Sequence, residues 1–102
     1  MIEGFLCALE GRDWGAFAEV LHPDVVYEIP QSRERIRGRD PYVRFNREYP
    51  GDWHLSPTLI VADGAAGAAR FYWQVGQAPV EEAFAFFAVR DGLLAAVTDF
   101  WP

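Results

Sequence analysis

The stretch VEEAFAFFAVRDGLLAAVTDFWP, residues 80–102, reads as two long strands joined at Asp91-Gly92. A two-residue type I′ turn needs positive φ at both central positions, and Asp-Gly tolerates that better than most pairs. In VEEAFAFFAV both alternating faces are apolar, as they are in RFYWQV at residues 70–75. A strand apolar on both sides has to be covered on both. Within the closing run LLAAVTDFWP, residues 93–102, stands a single carboxylate, Asp99.

Working outward, residues 53–101 divide into four strands, with turn chemistry at Ala62-Asp63-Gly64, at Gly76-Gln77-Ala78-Pro79 and at Asp91-Gly92. Towards the N-terminus the period changes. Ile2, Phe5, Leu6 and Leu9 share one helical face, and Trp14, Phe17, Ala18 and Leu21 repeat the spacing. The spacing predicts two short helices, with Gly11 at the left-handed position after the first, Asp13 capping the second, and His22-Pro23 ending it. Val25, Tyr27 and Ile29 then alternate with Val26 and Glu28 until Pro30, a short strand expected at an edge. The segment QSRERIRGR reads as a loop. Asp40-Pro41 reads as the cap and first turn of a third helix whose inner face carries Tyr42, Phe45 and Tyr49, before Pro50-Gly51 ends it.

Helices followed by an antiparallel meander make an α+β domain over residues 1–102, three helices packed on one side of a strongly curved, mostly antiparallel sheet. The simplest cover for the other side is the same sheet of a second copy, so a homodimer is expected. Phe5, Leu9, Phe17, Leu21, Phe45 and several residues between Phe84 and Val89 are expected in the core.

A chain of 102 residues, 51% hydrophobic and 16% aromatic, can fold around such a core without staples. Cys7 is the single cysteine, which excludes a disulfide framework and fits a reducing, cytoplasmic setting. No apolar run reaches membrane-spanning length, and MIEGFL has no charged segment leading into a long apolar one. Net charge is −6, all nine basic residues are arginines, and six of them fall between residues 33 and 48, interleaved with Glu34, Asp40 and Glu48. Interleaving of this kind suits a solvated, internally paired surface better than a nucleic-acid footprint. RERIRGR reads either as an ion-pair cluster fastening a loop or as a rim for an acidic ligand. No spacing of His, Cys and acids suggests a metal, and no glycine-rich phosphate loop or activated Ser or Cys suggests a cofactor or a covalent mechanism.

The order helix, helix, HPDVVYEIP strand, Gly-Arg-Asp helix, then four long strands ending in RDGLLAAVTDFWP resembles the nuclear transport factor 2-like superfamily, in its SnoaL-like branch. The resemblance runs over essentially the whole chain. It implies a cone in which a curved sheet and its helices enclose a mostly apolar pocket for a small apolar molecule, with acid–base chemistry done by a few polar side chains. The fold hosts isomerases, dehydratases, epoxide hydrolases, cyclases and plain binding domains. Ketosteroid isomerase, one member, uses an Asp base with a Tyr and a protonated Asp as oxyanion donors. By this resemblance Asp99 looks like the acid placed in the middle of the final strand, and Tyr27 like the pocket tyrosine of the first strand. The Arg-x-Asp pair of the epoxide hydrolase branch has its nearest match in Arg70-Phe71-Tyr72, which lacks the carboxylate.

Period-two alternation puts Val97 and Trp101 beside Asp99 and turns Ala96, Thr98 and Phe100 away. A carboxylate in an apolar pocket is held partly protonated near neutral pH and can move a proton. The competing reading pairs Asp99 with Arg70 or a tyrosine hydroxyl for packing alone. Tyr27, Tyr72 and Trp73 either orient a ligand through their polar tips or belong to the core. His54 is either a base or an exposed histidine. Two functions follow. One is a small isomerase, cyclase or dehydratase in which Asp99 moves a proton on an apolar carbonyl substrate while Tyr27 or Tyr72 steadies the developing oxyanion. The other is a non-catalytic pocket or dimeric interaction module. The first requires Asp99 and a tyrosine hydroxyl converging on an open cavity; the second allows Asp99 to be tied off by Arg70.

Overall fold

The structure is a computed structural model that describes all residues, Met1–Pro102. Its order is α1 (Ile2–Gly11), α2 (Trp14–Glu19), β1 (Leu21–Ile29), β2 (Glu34–Arg37), α3 (Arg39–Arg47), β3 (Trp53–Ala62), β4 (Ala66–Val75), β5 (Glu81–Arg90) and β6 (Leu93–Phe100). The six strands form one curved, unclosed sheet in the order β2-β1-β6-β5-β4-β3. Every pairing is antiparallel except β1 with β6, which is parallel. The fold is α+β, with three helices against the concave side of the sheet.

The hairpin at Asp91-Gly92 closes as the sequence requires, with φ of 56° and 74°. Asp13 caps α2 by accepting a hydrogen bond from the Ala16 amide at 3.1 Å. At the end of α1, however, it is Arg12 and not Gly11 that takes the left-handed conformation, with φ of 57°. Its guanidinium donates to the Leu9 and Glu10 carbonyls and to the Trp53 carbonyl, and lies 3.4 Å from the centre of the Trp53 ring. Those contacts offset the cost of a side chain at positive φ, roughly 1–2 kcal/mol.

Four boundaries differ from expectation. Helix α2 stops at Glu19, and Leu21, His22 and Pro23 already belong to β1. Pro23 is accommodated because the pairing with β6 slips between Leu21 and Val26, leaving Pro23 outside the regular ladder. Strand β1 is internal; the edge is β2, formed by Glu34-Arg35-Ile36-Arg37 out of the segment expected to be loop. Glu28 and Arg35 face each other across that pair and form a salt bridge at 2.8 Å. Finally, α3 begins at Arg39 after Gly38 at φ 96°, so Asp40 and Pro41 lie inside its first turn, where an acid favours the helix dipole and a missing N–H costs nothing.

The core lies between helices and sheet. Phe5 of α1 contacts Phe17 of α2 and Phe87 of β5, with ring centres 5.1 and 5.2 Å apart. Leu9, Leu21, Ala83, Ala85, Leu94 and Val97 are buried with them, whereas Phe45 is only half-buried. On the other side of β3–β6, Leu59, Val61, Tyr72, Phe84, Phe86 and Phe100 stand exposed.

Candidate functional site

Strand β6 turns Val97 and Asp99 towards the helices and Thr98 and Phe100 away, as the alternation predicts. Asp99 pairs in register with Ala85 of β5, whose small side chain lines the cavity beside it. On the other flank, parallel pairing of β1 brings Tyr27 beside Val97. The Tyr27 hydroxyl donates to Asp99 Oδ2 at 2.6 Å, the length of a charge-assisted bond.

Asp99 is 8% exposed. Burial pushes its carboxyl up to about 7, against the opposing effect of the Tyr27 hydrogen bond. Oδ1 receives no hydrogen bond from the protein, and no buried polar side-chain atom is sealed off without a partner, so Oδ1 opens onto the adjoining cavity. Tyr27 is itself driven upward, first by burial and then by the charge of Asp99, and stays protonated.

The cavity measures about 390 Å³, the room of roughly a dozen liquid waters and within the usual span of small-molecule sites. Its floor is Asp99, Tyr27 and Ala85, and its helix side carries Phe5, Leu6, Tyr42 and Phe45. The far wall is a train of aromatic rings. Trp53 stacks on Trp73 at 5.5 Å, and Trp73 meets Trp101 at 4.7 Å and Tyr49 at 6.3 Å. Gln31, Ser32, Glu34 and Tyr49 line it and are exposed, which marks the mouth between the β1–β2 turn and the end of α3. No Arg, Lys or His lines it.

Four of the residues singled out from the sequence therefore meet in one cavity: Asp99, Tyr27, Trp73 and Trp101. The other three do not reach it. Arg70 and Tyr72 occupy the alternate positions of β4 and face the convex side, where Arg70 Nε donates to Thr58 Oγ1 at 3.0 Å and lies 3.8 Å from Glu82. Pairing of Asp99 with Arg70 is thereby ruled out. His54 is held on the surface between Glu10, 2.8 Å from Nδ1, and Asp52, 3.0 Å from Nε2. Both carboxylates, Glu10 foremost, raise its pKa and so favour its charged form, and both ring nitrogens are engaged where His54 links α1 to β3. The structure adds Tyr42, Tyr49, Asn46 and Gln31 to the lining. The first two were legible only as the apolar stripe of α3, and nothing in the sequence distinguished the polar pair.

Among the described residues no group of His, Cys, Asp and Glu is arranged to hold a metal ion. No helix is long and apolar enough to cross a membrane.

The model of the SnoaL-like domain matches residues 2–97. Among solved structures, a protein of Kribbella flavida provisionally named a ketosteroid isomerase is 46% identical, with 99% of this chain and 74% of that one covered and a TM-score of 0.95. An epoxide hydrolase of M. tuberculosis described as LEH-like is 26% identical over 99% of this chain and 79% of that one, at a TM-score of 0.83. A provisionally named polyketide cyclase of Xanthomonas campestris pv. campestris, at 23% identity, shares the fold, covering 99% and 87% with a TM-score of 0.80. No curated protein matches the sequence significantly. Ordered helices, a curved six-stranded sheet, an apolar cavity with one internal acid and the match across residues 2–97 agree: the chain belongs to the SnoaL-like family of the nuclear transport factor 2-like superfamily.

Proposed function

We propose that the protein is an enzyme of the isomerase or cyclase kind that uses Asp99 to move a proton on a small, apolar, carbonyl-bearing substrate. The observation that carries this reading is the Asp99–Tyr27 pair: an inward carboxylate poised near neutrality, one oxygen held by a phenol at 2.6 Å and the other open to a cavity without cations. The ionised form takes a proton from the carbon next to the carbonyl, and the electron pair of the broken C–H bond moves into the carbonyl to give an enolate. The protonated form then returns the proton to another carbon, or the enolate carbon adds to a second carbonyl of the same molecule, whose C=O π bond opens to an alkoxide that takes the proton back from Asp99. An acid with a pKa near the working pH serves both steps. Tyr27 fixes the carboxylate so that Oδ1 faces the substrate. The provisional isomerase name of the 46% identical Kribbella flavida protein supports this class of chemistry without naming a substrate here.

The test is deuterium incorporation next to the carbonyl of α-tetralone and related bicyclic and tricyclic ketones in deuterium oxide. The wild-type protein should accelerate exchange for at least one of them, and Asp99→Asn should lower that rate by roughly a hundredfold or more. No acceleration with any ketone, or full activity in Asp99→Asn, would overturn the reading.

We further propose that two copies associate through the convex face of β3–β6. Leu59, Val61, Tyr72, Phe84, Phe86 and Phe100 form an exposed apolar row of the kind that marks protein–protein contacts. A single domain spanning residues 1–102, a cytoplasmic setting and the absence of a resident cofactor remain parts of this proposal.

A further inference from the structure

A carbonyl that becomes an enolate needs a hydrogen-bond donor at its oxygen, and Tyr27 is poorly placed to be that donor. A phenol has one hydrogen. That of Tyr27 is given to Asp99 whenever Asp99 is ionised, which is the state that removes the proton. No Arg, Lys or His reaches the cavity, and Tyr72 faces the opposite side of the sheet.

A second phenol is present. Tyr42, from α3, lies with its ring over that of Tyr27, centres 4.6 Å apart and planes 23° from parallel. It lines the same cavity and is only 1% exposed. Its hydroxyl donates to no protein group, yet no buried polar side-chain atom is sealed without a partner. The Tyr42 oxygen therefore keeps some accessible surface, and Tyr42 lines the cavity. The Asn46 amide, one turn further along α3, donates to the Tyr42 main-chain carbonyl at 3.0 Å and leaves the phenol alone. With no protein acceptor, the phenol proton is uncommitted. Burial, with the charge of Asp99 behind it, keeps the group protonated.

We infer that Tyr42 is the hydrogen-bond donor to the substrate carbonyl oxygen, with Tyr27 reserved for Asp99. The inference rests on the proton-transfer reading above for its chemistry, but its geometry is open to separate measurement. The two stacked phenols then have different duties. Tyr27 orients the base, and Tyr42 holds the oxygen on which negative charge develops, where removal of water makes one donor count for more than it would in solution. Rigid stacking on Tyr27, with Phe17 against its other surroundings at 5.5 Å, fixes the position of the phenol before substrate arrives.

The experiment is isotope-edited infrared spectroscopy of carbonyl-labelled α-tetralone bound to the full chain at alkaline pH, where Asp99 is ionised. Bound to the wild-type protein, the carbonyl stretch should move to lower frequency than in an apolar solvent. Tyr42→Phe should abolish that displacement and weaken binding roughly three- to tenfold, the worth of one hydrogen bond in a buried site. Tyr27→Phe should leave the displacement in place. Loss of the displacement in Tyr27→Phe, its persistence in Tyr42→Phe, or failure of the ketone to bind the wild-type protein would each overturn the assignment. Circular dichroism of both variants establishes that the fold is kept, and a Tyr42→Phe chain that fails to fold is replaced by Tyr42 bearing fluorine on the ring, whose stronger acidity should deepen the displacement; an unchanged displacement would overturn it as well. Deuterium exchange is scored on the same samples. Exchange lost with the displacement intact would sink the proton-transfer proposal alone, and exchange intact without a Tyr42-dependent displacement would sink this one alone.

Discussion

The concave and convex faces of strands β4–β6 are made from the same residues in alternation, yet they differ in what each leaves unfilled. Inward go Ala69, Phe71, Ala83, Ala85, Phe87, Val97 and Asp99, all buried. Outward go Tyr72, Phe84, Phe86 and Phe100, all exposed. Inside, Ala69, Ala83 and Ala85 stand among Phe71 and Phe87, and outside, aromatic residues stand where polar ones are usual. The small inward side chain of Ala85 lines the cavity beside one acid, and large outward ones create a surface that calls for a partner. Pleating separates the two roles by a single residue along each strand.

The largest effect expected from disturbing this contrast is on the concave face, and it concerns stability as much as turnover. Because Asp99 in the folded chain titrates at about 7 and its ordinary value is 3.8, the folded state binds more protons than the unfolded state between those two values. Stability must then fall as pH rises through that window, and level off above it. A shift of this size corresponds to roughly 3–5 kcal/mol at most. Asp99→Asn keeps an acceptor for Tyr27 and removes the charge, so it should abolish that slope and be the more stable protein above neutral pH, while being the one without activity. Urea denaturation of both chains across the acid to alkaline range measures it. Parallel pH profiles would mean that the carboxylate is not confined as described.

On the convex face the expected effect is smaller for the chain and confined to association. Phe86 is 50% exposed and meets Phe100 edge-on at 5.8 Å. Phe86→Glu should leave the concave core untouched and weaken self-association by about 2 kcal/mol or more, the cost of a central aromatic anchor at an interface. Sedimentation velocity at micromolar concentration follows it. A wild-type chain that stays monomeric would break the contrast by showing that this surface is tolerated wet.

Much of this was legible in the sequence and some was not, for identifiable reasons. The turn at Asp91-Gly92 and the inward direction of Asp99 followed from turn chemistry and period two, both local properties. Which of Arg70, Tyr72 and Trp73 faces the cavity depends on registers, Phe71 against Ala83 and Ala85 against Asp99, and a strand apolar on both faces carries no hydropathy signal to say which is inner. Strand β2 escaped notice because an edge four residues long with charged side chains lacks the features of an interior strand. Once β2 is absent, β1 looks like an edge. Tyr42 was visible as a core residue of a helix stripe, and only its contact with the cavity distinguishes it from Phe17.

The smallest effect tests how the two faces are held in register at the open end of the sheet. There the side chain of Gln31 grips the main chain of Trp101 on both sides: Oε1 accepts from the Trp101 N–H at 2.8 Å and Nε2 donates to its carbonyl at 2.6 Å. Gln31 follows β1 and Trp101 follows β6, so the grip continues their parallel pairing past the point where the ladder stops. Trp101 in turn seats against Trp73 and Phe71, the wall of the cavity facing Asp99. Both hydrogen bonds are exposed to water, so Gln31→Ala should cost only about 1 kcal/mol of stability. The more telling readout is the wall: tryptophan fluorescence of the variant should shift as Trp101 loosens, and α-tetralone should bind less tightly, while the Asp99 pH slope stays as it was, because Tyr27 still holds that carboxylate. A Gln31→Ala chain that changes the pH slope without changing tetralone binding would show that the grip steadies the acid and not the aromatic wall.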